Sequence, residues 1–181
     1  MVGRSPDARN ERSEPIEFTP ELLEKMRAIG LRLDRGGTFW HEGTAVTHPR
    51  LRQALLRWLD VRDDGRDIIR LDPKRYAYVD VEDAHLRARS AHWSGDRIVV
   101  LWDDDREDEL DYGSLCQAPD NALYATVRGK LRGRIAGIAY HAIAERIAEA
   151  GAGFALEAAG RAWPIPQSSA SGDGVSARTP R

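Results

Sequence analysis

The sequence predicts an α+β fold built from two related subdomains. Strand-like segments occur in consecutive blocks instead of alternating one by one with helices, which favours α+β over a doubly wound α/β sheet. Each half of the chain also contains a helix whose apolar stripe needs a sheet to cover it. At 181 residues, the chain has the length of one ordinary domain or of two small packed subdomains.

The first half begins with a capped helix. Thr19-Pro20-Glu21 places a hydroxyl cap, a proline and an acid at its start, and Gly30 ends it. A second helix begins at Thr47-His48-Pro49, and its leucine and tryptophan side chains form an apolar stripe along one face. Alternating polar and apolar residues predict four short strands, at 31–33, 38–41, 67–71 and 76–81.

The second half begins with strands and continues with a helix. Apolar residues spaced along 131–150 predict one long helix. The predicted strands lie at 86–93, 97–102 and 124–127, with a closing hairpin at 154–156 and 163–165.

Both ends of the chain are polar and carry almost nothing to bury, so ordering them would lose entropy without compensation. We therefore predict disorder there, although a tail that docks on a partner stays open as the alternative. The predicted divisions are a disordered tail at 1–15, an N-terminal α+β subdomain at 16–86, a C-terminal α+β subdomain with the long helix at 87–166, and a disordered tail at 167–181.

Composition excludes several classes of function. A formal net charge of -2 gives no overall bias toward nucleic acid or anionic membrane. One cysteine rules out a disulfide framework and a cysteine-rich zinc site, and the five histidines lack metal-ligand spacing. No stretch resembles a signal peptide or a membrane span. We therefore expect a cytoplasmic protein with no membrane partner, no metal and no cofactor.

Short motifs in both halves resemble one known family, the domain of unknown function family 1285 (DUF1285) of uncharacterised bacterial proteins. The matching residues are Gly37, Trp40-His41-Glu42-Gly43, Val46, Asp64-Gly65, Pro73, Val81-Glu82-Asp83, Val127-Arg128, Leu131, Arg134, Tyr140 and 160–165. The resemblance implies a duplicated α+β architecture whose second half is superficially similar to pleckstrin-homology domains. It also implies a ligand site where the two halves meet and a role in signalling.

The chain departs from that family at three charged positions. Arg75 and Arg132 stand where the family usually has glutamate, and Gly129-Lys130 replaces its Asp-Gly. These reversals predict that the corresponding site prefers a more anionic ligand.

The segment from Arg128 to Arg134 contains four cations at the predicted start of the long helix. A helix N-terminus already favours negative charge, so an external phosphate or carboxylate would suit this place. The acidic segment 103–111, interpreted as a solvated hairpin tip, would instead neutralise it internally. Both interpretations stay open at the level of sequence.

Two further places in the sequence have side chains that could take part in binding or catalysis. Trp40 and His41 end a strand, where they form either a structural turn or the lining of a cleft; Ala45 rules out a zinc-protease motif. Cys116 is either an inert cysteine that is buried as a small hydrophobic residue or a nucleophile activated by nearby cations.

The first hypothesis is therefore a non-enzymatic binding or regulatory module. It would bind an anionic small molecule or a signalling protein between its halves, with Arg128 and Arg134 as contacts and Trp40 and His41 as lining. The rival hypothesis is an enzyme with Cys116 as nucleophile and His41 or His141 as base.

Overall fold

The computed structural model describes residues 20–151 and 153–168. The helices are α1 (Pro20–Arg27), α2 (Pro49–Trp58) and α3 (Gly137–Ala144), with a 3₁₀ turn at Tyr112–Ser114. The strands are β1 (Leu31–Leu33), β2 (Phe39–His41), β3 (Thr44–Ala45), β4 (Leu59–Val61), β5 (Asp67–Arg70), β6 (Tyr76–Val81), β7 (Leu86–Ser94), β8 (Arg97–Trp102), β9 (Glu107–Glu109), β10 (Cys116–Gln117), β11 (Leu123–Val127), β12 (Leu131–Ile135), β13 (Ile147–Ala150), β14 (Gly153–Ala158) and β15 (Arg161–Ile165).

Two six-stranded sheets are built with the same connectivity. The first has the order β3-β2-β1-β6-β5-β4, and the second has the order β10-β11-β12-β7-β8-β9. In each, two antiparallel three-stranded meanders meet through one central parallel pair, β1 with β6 and β7 with β12. The predicted α+β class with two related subdomains is confirmed. Each subdomain contains two meanders instead of the single one predicted.

The last three strands form a third, smaller sheet. It has the order β13-β14-β15, and Gln117 on β10 pairs with Gln167 just beyond it. Helix α3 packs across β7, and the Trp93 indole nitrogen donates to the Ala142 carbonyl at 2.8 Å near the end of that helix.

Both six-stranded sheets contribute to one continuous apolar core. Alternation within each strand sends every second residue inward, as in Leu131, Gly133 and Ile135 of β12, while Arg132 and Arg134 face outward. The largest fully buried side chains come from both halves: Trp102, Phe39, Leu33, Leu56, Ile68, Leu86, Ile98, Leu115, Leu123, Ile135, Ile143 and Leu156.

The predicted long helix at 131–150 is wrong. Residues 131–135 form a strand, only Gly137–Ala144 is helical, and Ile147–Ala150 is again a strand. Leu131 and Ile135 fit a helical stripe and a period-two strand equally well. Gly133 and Gly137 decide against a continuous helix, because glycine is costly in helix interiors.

The remaining predictions concern helix α2 and the two ends of the chain. Helix α2 begins at Pro49, and the His48 side chain caps it by accepting a hydrogen bond from the Leu51 N–H. The predicted tail at 1–15 lies outside the described residues, as does Thr19. Of the tail predicted at 167–181, Gln167 and Ser168 are described, and both pair with Gln117 in the folded body.

Gly133 provides a test of the packing between sheet and core. A Cβ on Gly133 would lie 2.5 Å from the Trp102 ring and 2.6 Å from a Val127 methyl carbon. We expect Gly133→Ala to lower the free energy of unfolding by about 2 kcal/mol, measured by urea denaturation, because it overpacks the core.

The matched control is Gly153→Ala on β14. No heavy atom of the described residues lies within 4 Å of a Cβ built there. This change should stay within about 0.5 kcal/mol of the parent. Equal effects of the two substitutions would contradict the packing assigned to Trp102.

Candidate functional site

The five predicted site residues do not come together in one site. Trp40 and His41 lie on β2 of the first sheet, whereas Cys116, Arg128 and Arg134 belong to the β10–β12 meander of the second. Within that meander, Cys116 and Arg134 stand in one row, on the same face and two strands apart. Arg128 lies at the β11–β12 turn, where the structure has no helix start.

The acidic segment neutralises Arg128 within the protein. One guanidinium nitrogen lies 2.6 Å from Asp104 Oδ2, and the other lies 2.6 Å from Asp108 Oδ2. Asp104 is fully buried, so the segment is not simply a solvated hairpin tip. Arg128 and Gly129 both have positive φ, as a tight hairpin turn requires. The ion pairs hold an arginine in this uncommon conformation, and its charge is already matched.

Arg134 is also matched internally, outside the acidic segment. Its guanidinium lies 3.5 Å from Asp83 Oδ2 and 2.6 Å from Asp120 Oδ2. It also contacts the Tyr124 hydroxyl, which donates to Asp83 at 2.7 Å. The guanidinium of Arg132 stacks over the Tyr124 ring at 4.1 Å. This group joins the linker between the halves to the outer face of the second sheet.

Cys116 lacks the surroundings of a catalytic thiol. It pairs with Tyr124 on the neighbouring strand, and burial raises the pKa of its thiol, with Arg132 opposing that rise weakly. A nucleophilic cysteine needs the opposite shift. His41 lies in the other sheet and His141 on α3, and among the described residues neither histidine hydrogen-bonds the thiol.

Trp40 shapes the turn between β1 and β2. Its indole N–H donates to Asp34 Oδ2 at 2.8 Å, while Asp34 Oδ1 accepts the Thr38 N–H at 2.8 Å. The bond from Trp40 is the main reason that the pKa of Asp34 is lowered. His41 is exposed and stands opposite Thr44 in the β2–β3 hairpin. Both residues are explained by the hairpins that contain them.

Arg87 joins the two halves through this same turn. From β7 its guanidinium donates to the Asp34 carbonyl at 2.8 Å, to the Arg35 carbonyl at 2.7 Å and to the Ala84 carbonyl at 3.3 Å. Burial lowers the pKa of Arg87, so its contacts must compensate for lost hydration. Gly37 has a φ of +85°, which favours glycine, and a Cβ there would lie 3.1 Å from the guanidinium, so that a larger residue would also crowd Arg87.

His85 forms a second link between the halves. Its Nδ1 accepts the Arg132 N–H at 2.9 Å, and its Nε2 lies 2.9 Å from Asp67 Oδ1 on β5. An acceptor Nδ1 places the ring hydrogen on Nε2, which donates to Asp67. Both ring nitrogens are therefore engaged, and His85 has a structural role.

A cavity of about 470 Å³ lies on the first sheet close to this junction. It opens beside β6, where Val79–Val81 extend past the start of β5. Arg66 and Tyr78 contribute a guanidinium and a phenol side chain to its lining, and Asp80 contributes a carboxylate. Asp67, the partner of His85, also lines the cavity and connects it to the second half. None of the five residues predicted as site residues contributes to its lining.

The cavity is flanked by a cluster of tyrosines and arginines. Arg62 Nη1 donates to the Tyr76 and Tyr78 hydroxyls at 2.7 and 2.8 Å. The guanidinium of Arg66 lies over the Tyr78 ring at 4.4 Å. Burial, and then a hydrogen bond to Glu24, raise the pKa of Tyr78 to about 12, so its phenol keeps its proton at neutral pH.

The described residues contain no group of three or more histidine, cysteine, aspartate or glutamate side chains that could hold a metal ion. None of the described helices is both long and apolar enough to cross a membrane.

Comparison with solved structures places this architecture among known proteins. The structure of a DUF1285 family protein from Silicibacter pomeroyi DSS-3 superposes with a TM-score of 0.65 at 20% identity, over 76% of this chain and 80% of that one. This chain has a DUF1285-like fold. A DUF1285 family protein from Shewanella baltica OS155 superposes with a TM-score of 0.53 at 17% identity, over 64% and 90% of the two chains. The sequence matches no protein-family model and no curated protein.

The resemblance predicted from the sequence is thus confirmed at the level of the fold. Several residues of the DUF1285-like motifs lie at the junction of the halves. Gly37 leaves room for Arg87, Glu82 accepts the Arg35 N–H at 3.0 Å, and Asp83 binds Tyr124. In this DUF1285-like chain, these motif residues therefore hold the two subdomains together.

Sequence analysis missed the residues around the cavity. Tyr76 and Tyr78 were recognised only as strand residues, although their spacing of two does place both on one face of β6. Glu24 belongs to the polar side of α1, and sequence alone gave no sign that it meets these tyrosines, 52 and 54 positions further along the chain.

We predict that Arg87 is a main determinant of stability. Arg87→Met leaves three carbonyl oxygens with fewer partners at a partly buried junction, so we expect a loss of about 2 kcal/mol in urea denaturation. Arg97→Met is the control, because Arg97 is exposed and its pairing with Glu109 is long at 3.4 Å; it should cost less than about 1 kcal/mol. A loss no larger than the control's would remove Arg87 from this role.

We also predict an unreactive thiol at position 116. Because burial raises the pKa of Cys116, alkylation by iodoacetamide at pH 7.5 should be at least about tenfold slower than that of free cysteine. The rate should rise with pH and should equal that of free cysteine once the protein is unfolded in urea. Faster alkylation in the folded protein than in urea would revive the cysteine-enzyme hypothesis.

Proposed function

We propose that the protein is a binding or regulatory module and not an enzyme, and that it takes an anionic small molecule in the cavity beside the junction of its halves. The observation that carries the proposal is the cavity of about 470 Å³ whose lining includes Arg66 and Tyr78. This volume is in the usual range for small-molecule sites.

The cation in this proposal differs from those suggested by the sequence. Arg128 and Arg134 each contact two carboxylates, and Asp104 beside Arg128 is fully buried. Arg66 also contacts two carboxylates, Asp64 and Glu24, but its side chain is 51% exposed, against 25% for Arg128 and 21% for Arg134, and it lines a cavity that a ligand can reach. The anionic class of ligand is kept, while the binding contacts move to the β4–β5 turn and β6.

The lining also limits the form of the ligand. Asp80 would repel a second acid group, so the ligand should carry its negative charge at the Arg66 and Tyr78 side. A hydroxyl or amino group at the other side would be able to donate to Asp80. The position of Asp67 would let an occupied cavity influence His85 and, through it, the second half.

A thermal-shift screen of small carboxylates and phosphate esters tests the proposal. A ligand at about 100 times its Kd should add about 2.7 kcal/mol to the free energy of unfolding and raise the Tm measurably. The shift should disappear in Arg66→Ala and persist in Arg97→Ala, which removes an equally charged exposed side chain on the second sheet. A shift that survives Arg66→Ala, or a screen without any stabilising acid, would refute the proposal.

A further inference from the structure

A carboxylate of the protein itself is bound beside the cavity. Glu24 on α1 accepts hydrogen bonds from the Tyr78 hydroxyl and, at 3.3 Å, from the Tyr76 hydroxyl. Arg27 lies 2.5 Å from one of its oxygens, and Arg66 lies 3.6 Å from the other. The hydrogen bond from Tyr78 is the main cause that lowers the pKa of Glu24, so its carboxyl group is ionised at neutral pH.

The two phenols are oriented toward this carboxylate by a further arginine. Each hydroxyl accepts a hydrogen bond from Arg62 and therefore directs its own hydrogen at Glu24. Tyr76 and Tyr78 alternate along β6, so the sheet holds both donors on one face. We call Arg62, Arg66, Tyr76 and Tyr78 the tyrosine–arginine cradle. Such fixed donors suit any planar or tetrahedral acid group.

Charge in this region favours an additional anion. Three guanidinium groups, of Arg27, Arg62 and Arg66, meet two carboxylates, of Glu24 and Asp64. If Glu24 leaves with α1, Arg27 leaves as well, and the Arg62 and Arg66 guanidinium groups then face Asp64 alone, an excess of one positive charge beside the two phenols. The cradle is thus balanced by Glu24 or by an anion that replaces it.

Helix α1 is held in a way that allows such a replacement. Among its described side chains, Leu23 is 39% exposed and Met26 is 58% exposed, so neither anchors the helix in the core. Its described contacts with β6 come from Glu24 and Arg27, whose guanidinium lies 4.1 Å from the centre of the Tyr76 ring. Exposed ion pairs of this kind contribute little to stability.

We propose that the tyrosine–arginine cradle is the subsite for the acid group of the ligand and that Glu24 is its built-in competitor. This inference rests on the proposed function, since Arg66 and Tyr78 also line the cavity. An acid group in the cradle would leave the rest of the ligand in that cavity. Binding would then displace Glu24 and release α1 from β6, which couples occupancy of the site to the position of the helix.

The test measures binding of inorganic phosphate and, separately, acetate to the full chain by calorimetry. Removal of the internal charge by Glu24→Gln should tighten binding of the preferred anion at least tenfold. Glu109→Gln is the control, because it removes one exposed carboxylate that pairs with an arginine on the second sheet, and it should change nothing. The stronger of the two responses identifies a phosphate or a carboxylate as the acid group.

A second variant keeps the test valid if Glu24→Gln alters the fold. Adding Tyr78→Phe to Glu24→Gln removes one donor and should weaken anion binding at least tenfold, while circular dichroism reports whether the fold is intact. Movement of α1 is followed with a nitroxide on Met26→Cys in a Cys116→Ala background, and its mobility should rise as the anion is added. Unchanged mobility at saturation would overturn the release of the helix.

The outcomes separate the two proposals. If a screened acid binds in a manner that depends on Arg66 while Glu24→Gln leaves its affinity unchanged, the cradle inference fails and the proposed function stands. If Glu24→Gln tightens binding of inorganic phosphate or acetate while no larger acid in the screen stabilises the protein, the cradle binds an anion as inferred and the cavity is not the ligand site.

Discussion

The guanidinium of Arg87 is the interaction on which the arrangement of the two halves depends. It belongs to Arg87 on β7, the first strand of the second sheet, and donates to carbonyl groups of the β1–β2 turn in the first sheet. The shape of that turn is fixed in advance, because Asp34 binds both the Thr38 N–H and the Trp40 indole. Glycine at position 37 suits both the positive φ of the turn and the close approach of the guanidinium. A short motif therefore builds the surface that the second half contacts.

The repeated connectivity explains where the charges lie. A central parallel pair in each sheet is flanked by antiparallel strands, so each strand alternates between the shared core and an outer face. The outer faces contain many arginines, and most of them meet carboxylates of the same chain. These ion pairs differ in how deeply their carboxylates are buried. Asp104 is buried between β8 and β9, whereas Glu24 lies on a peripheral helix.

This difference in burial bears on which carboxylate an external acid could replace. A carboxylate buried within the core framework, such as Asp104, cannot leave without exposing uncompensated charge and breaking packing. A carboxylate on a helix with exposed apolar residues can exchange for an external acid at small cost. Arg66 and Tyr78 of the cradle also line a cavity large enough for a small molecule, and Asp67, the partner of His85, lines it as well. Under the proposed function, occupancy of the cavity would therefore be sensed at both α1 and the junction of the halves.

The sequence by itself determined the α+β class, the two-part organisation, helix α2 and the longer strands, because period-two alternation and helix caps are local signals. It also identified the junction motifs through their resemblance to DUF1285. It could not determine the secondary structure of 131–150, because Leu131 and Ile135 fit both a helical and a strand periodicity. It also could not identify two-residue strands such as β3 and β10. Only the tertiary structure decided the site. Glu24, Tyr76 and Tyr78 belong to separate elements, and their meeting depends on long-range packing that no local pattern encodes.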